Sequence, residues 1–203
     1  MERTIITISR QYGSGGRDVG MALSKLLNIP YYDKELLYMA AEKSNLHPDI
    51  AKDADENVKK GFLGMFSNGP YMAEPGASKG SELPINDRLY IMQSNLIKEL
   101  AAKESCVIVG RCADYILEDN PNAVNVFIHA CEEQRIKKIQ REENVGEKEA
   151  RKLMIKVDKR RATYYNYYSS HKWGLADNYH MSIDSKIGVD NCANLIALYI
   201  NML

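Results

Sequence analysis

The sequence predicts a doubly wound α/β fold on a parallel sheet, and three observations carry that prediction. Short apolar, β-branched runs alternate with segments of helical periodicity along the chain. The runs are nearly continuous in apolar character, as strands covered on both faces must be. Polar groups gather where those runs end, at Ser9-Arg10, at Asp33 and at Gly110-Arg111. In a doubly wound sheet, ligands bind beyond the carboxyl ends of the strands.

Taken in order, Ile5 to Ile8 (IITI) reads as the first strand. The polar spacer Ser9-Arg10-Gln11-Tyr12 and the loop Gly13-Ser14-Gly15-Gly16 follow it. Val19 to Leu27 has helical spacing, with Val19, Leu23, Leu26 and Leu27 expected on one buried stripe. Ile29-Pro30-Tyr31-Tyr32 is a short second strand ending at Asp33. Lys34 to Ser44 and Ile85 to Lys103 are expected to be helical. In the second of these, Leu89, Met92, Leu96 and Leu100 recur at helical intervals. Between them, residues 61–82 hold five of the 13 glycines and two of the six prolines, too many for one packed helix. Cys106 to Val109 (CVIV) is a third strand, Val124 to Ile128 (VNVFI) a fourth and Tyr179 to Ile183 a weaker fifth. Helices are expected over Glu132 to Glu143 and Glu147 to Tyr168, broken by Asn144-Val145-Gly146. The last helix, Asn191 to Asn201, would bury Leu195, Ile196, Leu198 and Tyr199.

Composition narrows the class. The 203 residues suit one domain with a sizeable core, and 27 basic residues balance 27 acidic ones. A zero net charge argues against a general binder of duplex nucleic acid. No apolar run reaches the ~18 residues of a membrane span, so a cytoplasmic protein without a membrane partner is expected. Cys106, Cys112, Cys131 and Cys192 form no C-x-x-C pair, and the four histidines are scattered, so no zinc spacing emerges. Reduced, structural thiols are expected.

The loop Gly13-Ser14-Gly15-Gly16-Arg17 carries the chemistry. Glycines let the backbone curl so that its N–H groups face one cavity, and the helix start adds positive potential, which together make a phosphate cradle. The standard loop is G-x-x-x-x-G-K-[ST]. Here Gln11 takes the first glycine position, Arg17 the lysine and Asp18 the hydroxyl. Arg17 can still bind phosphate, and Asp18 is the candidate magnesium ligand. Arg10 adjoins the loop as a further phosphate-binding cation. A rival reading sees Gly13-Ser14-Gly15 with Asp33 as a dinucleotide fingerprint, which makes an NAD-dependent enzyme a distant alternative. Against it, Asp18 fills the third-glycine position, and the spacer Ser9 to Tyr12 is too long for that tight turn.

Phosphoryl transfer needs several cations converging on mobile phosphates. Residues 131–161 hold eleven basic against seven acidic residues, with Arg135 and Arg141 on the first helix there. On the second, Asp158 and Arg161 lie three apart on one face, with Tyr165 one turn on. The bland alternative is a solvated helical hairpin with an Asp158–Arg161 pair. The run Tyr164-Tyr165-Asn166-Tyr167-Tyr168 is expected mostly to pack on a core.

In combination these features resemble the nucleoside monophosphate kinases, and most closely the cytidylate-kinase-like family of P-loop kinases. The resemblance covers nearly the whole chain. It rests on Ile8-Ser-Arg-Gln-Tyr-Gly-Ser-Gly-Gly-Arg17, Pro30-Tyr-Tyr-Asp-Lys-Glu35, Val107-Ile-Val-Gly-Arg111, Asp158-Lys-Arg-Arg-Ala-Thr-Tyr-Tyr165 and Lys172-Trp-Gly174. It implies a five-stranded parallel core (residues 1–33, 104–130 and 171–203), a helical acceptor-binding insert (34–103) and a helical lid (131–170). It further implies ATP and Mg2+, a small nucleotide acceptor such as CMP, and a monomer or homodimer. By resemblance Gly13 to Arg17 would hold ATP phosphates, and Asp33 and Lys34 would stand at the monophosphate site. Arg111 would grip the acceptor phosphate. Asp158 and Arg161 would be the lid pair approaching the nucleotide, with Arg135 and Arg141 as further lid cations. Arg17, Arg111, Arg161 and Asp158 are thus the catalytic candidates. No general base is needed, because a monophosphate oxygen is already anionic. The alternative from another class is a nucleotide-binding sensor that keeps the fold without catalysis, favoured by the unusual Arg17-Asp18.

Overall fold

The computed structural model describes residues 3–43 and 84–203. It divides into two compact units, one of residues 1–33 with 97–203 and one of residues 34–96. The first unit holds five parallel strands: β1 (Ile5–Arg10), β2 (Tyr31–Tyr32), β3 (Cys106–Val109), β4 (Ala123–His129) and β5 (Met181–Asp184). Their spatial order is β2-β3-β1-β4-β5. Strand β1 is central, pairing Ile6 with Val107 on one side and with Val124 on the other.

Parallel neighbours on both sides require long crossovers, and helices supply them. Helix α1 (Gly16–Leu27) follows β1, α2 (Glu35–Lys43) follows β2, and α3 (Ile85–Lys103) precedes β3. A short α4 (Ala113–Ile116) follows β3, α5 (Glu132–Glu143) and α6 (Glu147–Tyr168) follow β4, and α7 (Val189–Ile200) closes the chain. On one face of the sheet, Ile6, Ile8, Val107, Val109, Val124, Val126 and Ile128 pack with Val19, Leu23, Cys192 and Ile196 of α1 and α7. Gly20 lets α1 approach closely, since a Cβ there would lie 3.0 Å from Val109 and 3.1 Å from Tyr31. The middle of the sheet contains one polar cross-strand pair, in which the buried Thr7 hydroxyl donates to Asn125 Oδ1 at 2.7 Å.

The five strands, the parallel sheet and the helical break at residues 144–146 agree with expectation. Several details do not. Leu26 is half exposed rather than on the α1 stripe, and Leu195 and Leu198 of α7 face outward. The buried side of α7 is made instead by Ile196 with the small residues Cys192, Ala193 and Ala197, which let the helix sit close against α1 and the sheet. Strand β5 starts at Met181, because Tyr179 still belongs to the turn after a short 3₁₀ segment (Ala176–Asn178), and sheet pairing begins at the His180 N–H donating to Asn125. Strand β2 starts after Pro30, which has no N–H, while the Ile29 N–H closes the end of α1 at Ser24.

In the second unit, Leu36, Leu37 and Ala40 of α2 are buried, as are Leu89 and Leu96 of α3. The glycine-rich stretch 61–82 and most of the expected insert lie outside the described residues. No helix among the described residues is long and apolar enough to cross a membrane. Cys106, Cys112 and Cys192 are buried free thiols and Cys131 is an exposed one.

Candidate functional site

The glycine loop sits where β1 ends, and its shape is set by contacts on every side. The Gln11 N–H donates to the Ile128 carbonyl at 3.0 Å, and Gln11 Oε1 accepts from the Ala130 N–H. The buried Ser14 hydroxyl is shared between the carbonyls of Gln11 at 2.9 Å and Ile128 at 3.1 Å. That side chain therefore shapes the loop, and leaves the loop backbone as the groups able to meet phosphate. Gly13 and Gly15 have φ values of 76° and 77°, the left-handed region that favours glycine. A Cβ on Gly13 would lie 2.7 Å from the Arg135 carbonyl, so the position also demands the missing side chain. Gly15 caps α1 with no side-chain cap, so the first-turn N–H groups rely on other partners. That is the geometry of an anion seat at a helix start.

Beside the loop lies an arginine cluster organised by one carboxylate. Asp33, 2% exposed, receives Arg10 Nη2 at 3.3 Å and Arg17 Nε at 3.2 Å on its two oxygens. The Tyr31 hydroxyl adds a longer contact of 3.4 Å. Arg10 lies against Gly110, where any Cβ would fall on its guanidinium. Its pKa is lowered, first by burial and then, after Asp33 has raised it, by the charges of Arg111 and Arg17. Arg161 donates to the Arg10 carbonyl at 2.9 Å, and its pKa is pushed down to about 9 by burial and by Arg10. Like charges in contact disfavour one another, and a bound anion relieves them. Arg111 sits in an unusual backbone. Gly110, Arg111 and Cys112 have φ values of 77°, 60° and 56°, three successive left-handed residues. For the two that are not glycine this conformation is strained, and such strain collects at functional sites.

The two helices α5 and α6 clamp the loop from above. Asp158 Oδ1 accepts from the Tyr12 N–H at 2.7 Å, and Arg135 Nε donates to the Tyr12 carbonyl at 2.7 Å. Arg135 also pairs directly with Asp158. The Tyr12 hydroxyl donates to Glu143 at 2.6 Å, and Arg161 lies 5.6 Å over the Tyr12 ring. Lys138 Nζ meets Asp18 Oδ2 at 2.6 Å.

The expected residues thus fall into three groups. Arg10, Arg17, Asp33, Arg111 and Arg161 come together beside the loop formed by Gly13, Ser14, Gly15 and Gly16. Asp158 and Arg135 meet each other within the clamp. The bland alternative would pair Asp158 with Arg161; the direct ion pair of Asp158 is instead with Arg135, because α5 packs across α6 and brings the more buried arginine to the carboxylate. Arg135 is consequently a buried tie of the loop, not a solvent-facing lid cation. Arg141 is exposed and donates to the Lys137 carbonyl on its own helix, outside the cluster. Lys34 is exposed and belongs to the second unit. Asp33 is enclosed with two guanidinium groups and does not stand as the ribose-binding acid of a dinucleotide site. The sequence reading missed Tyr12 and Lys138. Lys138 lies three residues after Arg135, the i,i+3 relation that puts two side chains on one helix face, and that spacing was the signal available.

A cavity of about 240 Å³ lies apart from the arginines and is lined in part by Asp114, Glu118, Asn125, Tyr165, His171 and Asp177. Its three carboxylates would repel phosphate. The Tyr165 hydroxyl donates to the buried Asp114 at 2.8 Å, so this tyrosine of the aromatic run packs inward. No group of three or more His, Cys, Asp or Glu among the described residues is arranged to hold a metal by itself.

A parallel sheet in the order 2-3-1-4-5, with a glycine loop running from β1 into α1 and arginines at the strand ends, defines the P-loop kinase fold. The cytidylate kinase-like family matches residues 5–187, and the chain belongs to that family. A protein described as uncharacterized from Eubacterium ventriosum ATCC 27560 has a similar crystal structure. It is 33% identical, with a TM-score of 0.74 and coverage of 98% of this chain and 99% of that one. The fold is also similar to that of shikimate kinase from Bacteroides thetaiotaomicron, at 12% identity, a TM-score of 0.55 and 98% coverage of both chains. A gluconokinase from Sinorhizobium meliloti 1021 gives 16% identity, a TM-score of 0.52 and coverage of 98% and 95%. Among curated proteins, none matches the sequence.

Proposed function

We propose that the protein transfers a phosphoryl group from ATP, with Mg2+, to CMP or a similar small phosphorylated acceptor. The observation that supports this most is the pairing of Arg10 and Arg17 with the buried carboxylate of Asp33, with Arg111 and Arg161 beside Arg10, next to a glycine loop at a helix start. Membership of a cytidylate kinase-like family and the kinase fold of its structural neighbours support the same reading. Phosphoryl transfer asks little covalent work of the protein; it asks for positioning and for cations where charge accumulates.

In this reading the backbone of Gly13 to Gly16 receives the donor phosphates. Arg111 binds the acceptor phosphate, and Arg17, with Arg10 behind it, neutralises the group in transit. Asp33 sets the spacing of Arg10 and Arg17, two cations that would otherwise move apart. Arg161 stands at the junction of clamp and cluster, its guanidinium fixed by the Arg10 carbonyl. Asp158 and Arg135 act one step back, holding Tyr12 and so the shape of the loop. Mg2+ commonly keeps several waters and needs only one or two protein carboxylates besides phosphate oxygens. Asp18, in the first turn of α1, would serve as that carboxylate through Oδ1, its Oδ2 being held by Lys138, and the ion would offset phosphate charge when bound. Closure over the site would exclude water and so suppress hydrolysis of ATP. Small nucleotides are the partners of such a site, and the cytoplasm, where ATP is abundant, is its proposed location.

One observation favours a second reading, a nucleotide-binding sensor without turnover. Both unusual loop residues are engaged in ion pairs, Arg17 with Asp33 and Asp18 with Lys138. Calorimetric titration of CMP into wild type and Arg111→Ala tests the acceptor assignment. Loss of a charge-assisted phosphate contact should weaken binding by about tenfold or more. Unchanged affinity would remove Arg111 from the site.

A further inference from the structure

The two departures in the loop have partners that make chemical sense together. Arg17 stands where a phosphate loop carries its lysine, yet its Nε lies 3.2 Å from Asp33 Oδ2, so its charge is directed to the acceptor-side cluster at the end of β2. An ammonium group comes to the loop from elsewhere. Lys138 reaches from α5 and places Nζ 2.6 Å from Asp18 Oδ2 and 2.8 Å from Glu142 Oε1. The side chain passes over Gly15, where an added Cβ would lie 3.9 Å from Lys138 Cε and 3.8 Å from Asp18 Oδ2. Gly15 is the residue that opens α1 without a side-chain cap. The lysine is therefore held at the helix start where an anion would sit. Burial works against its charge, but Asp18 and Glu142 together outweigh burial and keep its pKa above the ordinary value.

We infer that Lys138 supplies the phosphate-binding amine of the loop in place of the residue at position 17, and that Asp18, where the loop hydroxyl would stand, positions it. The inference rests on the nucleotide-binding reading above and assigns the donor side of that site. The two substitutions in the loop are then coupled: an aspartate replaces the hydroxyl because the amine now arrives from α5 and needs an anchor. An arginine becomes useful at position 17 because that position is released to the acceptor side. It also gives α5 a direct role in the donor site. Arg135, one turn earlier on the same face, shapes the loop through Tyr12, while Lys138 would meet the phosphates themselves.

The test is a calorimetric titration of inorganic tripolyphosphate, and separately of a non-hydrolysable ATP analogue, in the presence of a chelator so that no metal contributes. Wild type, Lys138→Met, Lys138→Arg and Lys137→Met are compared. Lys137 is the exposed neighbour, pairing with Glu133 on the surface of the same helix. Lys138→Met should weaken both ligands about tenfold to a hundredfold, the worth of one charge-assisted contact. Lys138→Arg should restore most of that loss and Lys137→Met should bind as wild type. Equal affinity of Lys138→Met and wild type for both ligands would overturn the inference and leave the nucleotide reading standing. Wild type binding tripolyphosphate through Lys138 but not the ATP analogue would uphold the inference and overturn the nucleotide reading. Failure of wild type to bind either ligand would overturn both. If Lys138→Met does not fold, wild-type affinity in Lys138→Gln, which keeps polarity but not charge, would equally overturn the inference.

Discussion

Asp33 receives two guanidinium groups on its two carboxylate oxygens while itself almost fully enclosed. Removing one partner from a buried ionic contact leaves the other charge unpaired in a medium that disfavours it. Arg10 is the more enclosed of the two, so Asp33→Ala should destabilise the fold by about 2–3 kcal/mol. Urea unfolding would measure this, and an unchanged midpoint would contradict the role given to Asp33. Asp114 is buried and its pKa is raised above the usual 3.8, chiefly by desolvation, although the Tyr165 hydroxyl partly offsets this. A carboxyl with a raised pKa binds its proton more tightly in the folded state. Its contribution therefore falls as pH rises from 3.8 through the raised value, and ionisation there works against folding. Asp114→Asn should remove that slope, so the stability difference between variant and wild type should move in favour of the variant as pH rises. Thermal melts across pH 4 to 8 would show it (about the range where carboxyls with raised pKa titrate), and a constant difference would contradict it.

At the scale of elements, α5 and α6 matter less as a surface of positive charge than as a brace. Arg135 ties Tyr12 and Asp158 together from a buried position, joining three segments that are distant in sequence. Arg135→Leu would fill much of the same space but leave Asp158 without its cation, and about 3–5 kcal/mol should be lost. Asp158→Asn combined with Arg135→Leu should recover part of that loss. A double-mutant cycle measures the coupling, and strict additivity would contradict the clamp. These helices also show what was legible beforehand. Their limits follow from local signals: Gly146 breaks the chain, and Asn144 adopts the left-handed conformation that ends α5. Their pairings do not follow from local signals. Asp158 and Arg161 share a helix face, yet the contact that forms is with Arg135 across the hairpin, and only packing decides that. The same holds for Leu26 and Leu198, whose periodicity fits a buried stripe while Val19 and Leu23 of α1 and Ala193 and Ala197 of α7 take the contact.

For the whole molecule, the zero net charge is a sum of unlike regions. Cations converge on the strand ends, and an acidic cavity lined by Asp114, Glu118 and Asp177 lies elsewhere. The parallel sheet was legible because strands covered on both faces are nearly continuous in apolar character, as β3 is throughout and as residues 5–8 and 123–128 are apart from the paired Thr7 and Asn125. The phosphate loop was legible because glycine is the residue that tolerates the φ values of Gly13 and Gly15. The left-handed turn at Arg111 and Cys112 was not, since neither residue type announces it. Nor was the origin of the amine above Gly15, which comes from a helix more than a hundred residues further along the chain.

The most direct measurement follows both products by phosphorus NMR when the protein is mixed with ATP, Mg2+ and, in turn, CMP, dCMP, UMP and AMP. Phosphoryl transfer predicts that ADP and one nucleoside diphosphate appear in equal amounts, and that Arg111→Ala abolishes both. Tight ATP binding with no product from any acceptor would contradict catalysis and leave the sensor in its place.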